Sequence, residues 1–192
     1  PVYFGGASAD AVRVGGRHAD VYAFWGEPLD GIRQRIAEVQ GSAAAAGRSV
    51  DKFSVSLRPI AADTQEAAWA RAHEILERTQ ERAGEYVGLR DTRQAEGSRR
   101  LLGYAAEKDL HDKRLWTALS RATGAAGNST ALVGSYEQVA ESLLDYVAIG
   151  ATTLLIRGYD PLNDAAAYAN LVRLVHEKVG DDILRFRAGA AA

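Results

Sequence analysis

Four short apolar runs, each followed by a segment of helical spacing, constrain the fold of this chain more than any other feature of its sequence. The first, Val2-Tyr3-Phe4, stops at Gly5-Gly6, and Ser8 then reads as an N-cap ahead of Ala9 to Val14. The second, Val21 to Trp25, is rich in β-branched and aromatic residues and ends at Gly26-Glu27-Pro28. Pro28 opens a helix whose Leu29, Ile32, Ile36 and Val39 fall on one stripe, with Gly47 as its stop. The third run carries Phe53, Val55, Leu57 and Ile60; Pro59 cannot donate to a ladder, which predicts a strand end near Arg58. Thr64 caps the helix after it, with Ala68, Trp69, Ala72, Ile75, Leu76 and Thr79 at helical spacing.

From about Gly84 to Thr130 the pattern weakens to short helical fragments, around Arg99 to Glu107 and Lys113 to Arg121. Order returns at Ser135, where Ser135 and Gln138 form a capping box for a helix lined by Val139, Leu143 and Tyr146 and ended by Gly150. The fourth run is Thr152 to Ile156. A last helix is expected to start at Asp160-Pro161, to bury Tyr168, Leu171, Val172, Val175 and Val179, and to stop at Gly180, with a fraying alanine-rich tail. Strands that read as continuous apolar runs between helices predict an α/β fold with a parallel sheet covered by helices. Four such units suit either an open doubly wound sheet or half of a (β/α)8 barrel.

Composition removes several classes of function. Of 192 residues, 23 are Lys or Arg and 25 Asp or Glu, and neither half of the chain is basic, so neither nucleic acid nor a membrane is an expected partner. No apolar run is long enough to cross a bilayer, and a cytoplasmic location is expected. There is no cysteine, and the four histidines show no pairing at metal-ligand spacing, so no metal site is expected.

The runs Tyr3-Phe4-Gly5-Gly6-Ala7-Ser8, His18-Ala19-Asp20-Val21-Tyr22, Trp25-Gly26-Glu27-Pro28, Thr130-Ala131-Leu132-Val133-Gly134 and Ile156-Arg157-Gly158-Tyr159 occur in that order. Together they resemble the bacterial-luciferase-like flavin-dependent monooxygenases, closest to the alkanesulfonate monooxygenase branch. The resemblance implies a (β/α)8 TIM barrel in which residues 1–192 supply about the second half, strands five to eight. It makes them the C-terminal part of a single domain, with 84–130 as an insertion that folds over the site as a lid. The first half is then expected from a longer chain, or less readily from a partner copy, and a homo-oligomer is expected. The implied chemistry is a two-component one. A separate flavin reductase delivers reduced FMN, and a C4a-peroxyflavin formed with O2 oxygenates a small organic substrate, an alkanesulfonate being one candidate. Two rivals stand beside it: an F420-dependent oxidoreductase of the same superfamily and a non-catalytic flavin-binding or oligomeric barrel.

The same resemblance assigns residues. Gly6, Ala7 and Ser8 would hold the FMN phosphate, because glycines let backbone amides approach an anion at a helix N-terminus; an ordinary tight turn with a Ser cap needs the same residues. Trp25 would wall the pocket, and Tyr159 would offer its phenol as acid, base or hydrogen-bond donor. Alkanesulfonate enzymes carry an Arg and a His two positions apart where this chain has Ser56 and Arg58. Arg58 keeps a planar, permanently charged donor there and cannot act as a base. A second family arginine aligns with Ala125, with Arg121 as its nearest substitute.

Overall fold

The computed structural model describes residues 1–83, 95–160 and 162–179. Expectations that fall on residues 84–94, on Pro161 and on the tail from Gly180 lie outside the described residues. In chain order the elements are β1 (Tyr3–Gly5), α1 (Ala9–His18), β2 (Val21–Trp25), α2 (Leu29–Ala45), β3 (Phe53–Leu57), β4 (Pro59–Ala62) and α3 (Gln65–Ala83). After the undescribed stretch come α4 (Glu96–Glu107), β5 (Leu110–His111), β6 (Leu115–Trp116), α5 (Ala118–Thr123), β7 (Ala131–Ser135), α6 (Tyr136–Ala148), β8 (Thr153–Ile156) and α7 (Asp164–Val179).

The four apolar runs form one parallel sheet in the order β1-β2-β3-β8. Local chemistry sets the helix ends as the sequence predicts. Ser8 Oγ accepts the Ala11 amide at 3.1 Å, Thr64 Oγ1 accepts the Ala67 amide at 3.1 Å, and Ser135 with Gln138 closes a reciprocal capping box. Gly47 and Gly150 follow α2 and α6 with φ of 69° and 113°, which a side chain would strain.

Alternation along each strand divides this sheet into two unlike faces. Phe4, Tyr22, Phe24, Phe53, Val55, Leu57, Leu154 and Ile156 share one core with Ile32, Ile36, Val39, Val139, Leu143, Tyr146 and Leu171 from the helices. Phe24 stacks on Phe53 with ring centroids 5.9 Å apart. The opposite face carries Gly5, Ala23, Trp25, Ser54, Ser56, Thr153 and Leu155, which are small or polar for the most part.

A second sheet, β4-β7-β6-β5, goes beyond what the sequence pattern suggests. The chain does break at Arg58, but it resumes at once: the Leu57 carbonyl accepts the Arg157 amide and the Arg58 carbonyl accepts the Leu132 amide, each at 3.0 Å. Arg58 is thus the fork at which one long strand leaves β8 and pairs with β7. Pro59 is tolerated because it is the first residue of an edge strand. Lys113 to Trp116 belongs to the β5-β6 hairpin, not to a helix, and helix resumes only at Ala118. In α7 the apolar stripe is Leu171, Leu174, Val175 and Val179, while Val172 is exposed, one residue out of helical phase. That helix starts at Asp164, later than expected: Leu162 and Asn163 lie in a turn ahead of it, and the Asp160 carboxylate accepts the Asn163 amide. No described helix is long and apolar enough to cross a membrane.

Candidate functional site

Parallel pairing puts the C-terminal ends of β1, β2, β3 and β8 side by side, and Gly6, Ala7, Ser8, Trp25, Arg58 and Tyr159 lie at or just after those ends. With strands about 4.8 Å apart, three steps span an arc of roughly 14 Å from the turn after β1 to the loop after β8.

At the first end, the turn Gly6-Ala7-Ser8 is held from behind. Arg35, only 3% exposed, reaches back from α2 and donates to the carbonyls of Gly6 (2.7 Å) and Ala7 (2.8 Å); the Tyr22 hydroxyl donates to Gly6 at 3.0 Å. Burial pushes the Tyr22 phenol up, with Arg35 pulling against it. With these carbonyls turned inward, the Gly6, Ala7 and Ser8 amides find no acceptor among the described residues. A Cβ on Gly6 would stand 2.5 Å from that of Ala11, so only glycine lets the helix start so close to the strand. Ser8 spends its hydroxyl on the helix cap.

At the second end, Trp25 lies under α4. A Cβ on Gly97 would fall 2.8 Å from the indole, so the glycine is what lets the helix rest on the ring. Two residues on, Glu27 is 5% exposed and grips Arg100, whose Nε lies 2.9 and 3.0 Å from its two carboxylate oxygens; the Tyr104 hydroxyl adds a 3.4 Å contact. Glu27 in turn holds the Arg100 guanidinium well above its ordinary value, and burial, then Glu27, raises the Tyr104 phenol.

At the fork, Arg58 and Tyr159 come together. The Arg58 guanidinium carbon stands 5.1 Å from the Tyr159 ring centroid, and Nη1 donates weakly to the Gly158 carbonyl at 3.4 Å. Arg58 Nε and the Tyr159 hydroxyl are both buried, and neither has a hydrogen-bond partner among the described residues. An unpaired buried donor costs about 1–3 kcal/mol, and here two occur on side chains that stack on one another. Burial drives the Tyr159 phenol upward, outweighing the opposing pull of Arg58. At neutral pH it therefore keeps its proton, which suits a donor and not a base. The loop is fixed by Asp164, buried at the start of α7, whose Oδ2 accepts the Tyr159 and Asp160 amides and the Tyr168 hydroxyl at 3.0–3.1 Å while its other oxygen pairs with Arg71. Tyr159 packs beside the second core, with Ile60, Ala68, Ala72, Trp116 and Leu119, whereas Trp25 meets α4.

Several participants escaped sequence reasoning. Asn128 Nδ2 donates to the Ser56 carbonyl at 2.7 Å and lies 3.2 Å from its hydroxyl, and Thr130 donates to the Gly26 carbonyl at 2.7 Å. Ser56 is thereby occupied by the insertion. Arg121 does not reach this region: it donates to the Ala105 carbonyl and pairs with Asp109 at 2.6 Å. Ala125, buried at φ 52°, accepts from Ser98 instead of standing in for an arginine. Arg35 and Glu27 carry the plainest missed signal, charged residues on or beside apolar stripes.

A parallel sheet with helices on one face and chemically distinctive side chains along its C-terminal rim is the layout of part of a (β/α)8 barrel. The sequence matches the family model of the luciferase-like monooxygenases over residues 1–153, and the chain belongs to that family. Among solved structures it is similar to DmoA from Hyphomicrobium sulfonivorans, with 21% identity over 92% of this chain and 41% of that one and a TM-score of 0.66. A riboflavin lyase with modified FMN gives 18% identity, 92% and 42% coverage and a TM-score of 0.64. The oxygenating constituent of 3,6-diketocamphane monooxygenase from Pseudomonas putida, in complex with FMN, gives 20%, 89%, 46% and 0.54. At these identities the likeness is one of fold, and the chain spans less than half the length of each of these structures.

Proposed function

We propose that this chain supplies the second half of the barrel of an FMN-dependent, two-component monooxygenase, and that the rim of β1, β2, β3 and β8 is its share of the flavin and substrate pocket. The observation that carries the reading is the pair of buried, partnerless donors, Arg58 Nε and Tyr159 OH, at the fork of two sheets. The residues fit a flavin with a phosphate tail. Gly6, Ala7 and Ser8 offer amides at a helix N-terminus whose carbonyls Arg35 and Tyr22 restrain, and the rim extends about 14 Å from there.

Reduced FMN, when bound, supplies the electrons with which O2 is activated. The chain's own residues do the rest. Trp25 gives the pocket a flat apolar wall, fixed by Gly97 of α4. Arg58 and Tyr159 direct two donors at an oxygen that gains negative charge, in a setting where desolvation strengthens each hydrogen bond. The insertion read at 84–130 acts through its described part, α4 to α5 and the Asn128-Thr130 loop, as the roof that keeps water from the rim. A small organosulfonate is the candidate substrate, a flavin reductase the partner, and a homo-oligomer the working form.

Anaerobic titration of the whole protein tests this reading. Reduced FMN is expected to bind and F420 not to, and O2 uptake with reduced FMN should yield oxygenated product from an alkanesulfonate panel. Tight F420 binding with no affinity for reduced FMN would replace the proposal with a deazaflavin oxidoreductase, and flavin binding without turnover would leave a binding module.

A further inference from the structure

The described part of the insertion meets the barrel sheet along one face of α4. Gly97, Arg100 and Tyr104 stand at i, i+3 and i+7, one stripe of the helix. Each addresses a residue at or after the end of β2: Gly97 the Trp25 ring, Arg100 the Glu27 carboxylate, and Tyr104 both Glu27 and the first turn of α2. Two of the three contacts depend on an absent side chain, one from each side. A Cβ on Gly97 would meet Trp25 at 2.8 Å, and one on Gly31 would meet the Tyr104 hydroxyl at 2.4 Å. Between these two fitted contacts lies the Glu27–Arg100 pair, with 6% and 20% of the side chains exposed. Glu27 is itself anchored, since its carbonyl accepts the Tyr146 hydroxyl of α6 at 2.8 Å.

A surface helix that merely covered apolar area would not need this register. Alternation and capping explain α4 as a helix, but they do not explain a buried carboxylate placed two residues beyond Trp25, where it fixes the helix both along and across the strand end. A bidentate guanidinium–carboxylate pair sets distance and orientation together, which an apolar contact does not.

We propose that Glu27 is a positioning residue: through Arg100 it holds α4 in the one register in which Gly97 seats against Trp25, and so fixes the indole as a wall of the reaction pocket. This rests on the reading of Trp25 as a pocket wall, but the seat itself is testable without turnover. Glu27→Gln keeps the shape of the side chain and removes its charge. Gly97→Ala leaves the ion pair untouched and intrudes on the ring.

In the whole protein, both variants are expected to shift to the red the part of the tryptophan emission that Trp25→Phe removes and to raise its quenching by acrylamide, while the circular dichroism stays that of the parent. In turnover, both should lower the oxygenated product formed per reduced FMN consumed by on the order of tenfold, since displacements of about 1 Å cost up to 100-fold where orientation matters. Circular dichroism unchanged from the parent separates this loss from a general loss of folding. Unaltered Trp25 emission and quenching in folded Gly97→Ala and Glu27→Gln overturns the assignment of Glu27. A spectral shift with unchanged product yield per flavin keeps the seat but removes Trp25 from the pocket, and with it the functional part of the proposal.

Discussion

Two arginines stand at the strand ends, and the chain treats them in opposite ways. Arg35, beneath the turn after β1, is 3% exposed and spends its donors on the carbonyls of Gly6 and Ala7, with Glu38 at 3.6 Å and the Phe24 ring 5.7 Å from its guanidinium carbon. Arg58, at the fork of β3 and β4, keeps one weak bond to Gly158 and leaves Nε without a partner beside an equally partnerless Tyr159 hydroxyl. Withdrawing a charged donor from water is costly, for the whole of Arg35 and for Nε of the half-buried Arg58. The first site recovers that cost within the protein, so its arginine is part of the fold. The second leaves it outstanding, and the role proposed for its arginine rests on that difference.

The sharpest way to break this contrast is at the satisfied end. Arg35→Met should destabilise the protein by about 3–5 kcal/mol, because the carbonyls of Gly6 and Ala7 lose two charge-assisted donors at once. Chemical denaturation of the variant against the parent measures it. A loss below about 1 kcal/mol would mean that the turn keeps its shape without the clamp and that the two arginines are not different in kind.

Alkaline pH probes the fork through its phenol. Burial raises Tyr159 in the folded state, so the folded protein holds a proton that the unfolded chain releases above about pH 10. Its contribution to stability is therefore complete below that pH and is lost as pH rises toward the folded value. By one unit above pH 10 a single such phenol costs about 1.4 kcal/mol. Tyr22, Tyr104, Tyr146 and Tyr168 are raised by burial too and steepen the same limb. Stability measured from pH 8 to 11 should fall less for Tyr159→Phe than for the parent by about that amount. Parallel curves would mean that the ring is not buried in this way.

At neutral pH the same substitution should act in two directions. Removing an unpaired buried hydroxyl stabilises by about 1 kcal/mol, while product formation slows because a donor is gone. A loss of stability would show that the hydroxyl has a partner in solution, and unchanged turnover would remove Tyr159 from the mechanism.

How far the sequence reveals this contrast follows from how local each interaction is. Ser8, Thr64 and the Ser135–Gln138 box act within one helical turn, so their spacing shows them directly. The four strands of the first sheet also show, because one buried face forces apolar runs. Arg35 meets its partners 28 and 29 residues away, and Glu27 meets Arg100 at 73, and no periodicity encodes such pairs. β7 was hidden for another reason. Thr130 to Gly134 is conspicuous as a motif, but its partner β4 begins at a proline that reads as a stop, and only three dimensions show that this proline opens an edge strand. Family resemblance points to Arg58 and Tyr159, but not to their shared lack of partners, which belongs to the packed state alone.

The smallest expected effect on stability is the most decisive one. Arg58→Met removes a cation–π contact worth about 0.5–2 kcal/mol and a bond near the limit of hydrogen-bond length. It also removes a buried unpaired donor whose cost is of similar size and opposite sign. The two offset, and denaturation should place the variant within about 1 kcal/mol of the parent, where Arg35→Met falls well outside. Product formation should nonetheless drop on the order of 100-fold, the loss that follows removal of one preorganised donor from a developing anion. Stability and activity must therefore separate at Arg58. If they fall together, by several kcal/mol and in proportion, the guanidinium has a structural partner that it does not have in the fold described above, and the fork is another Arg35.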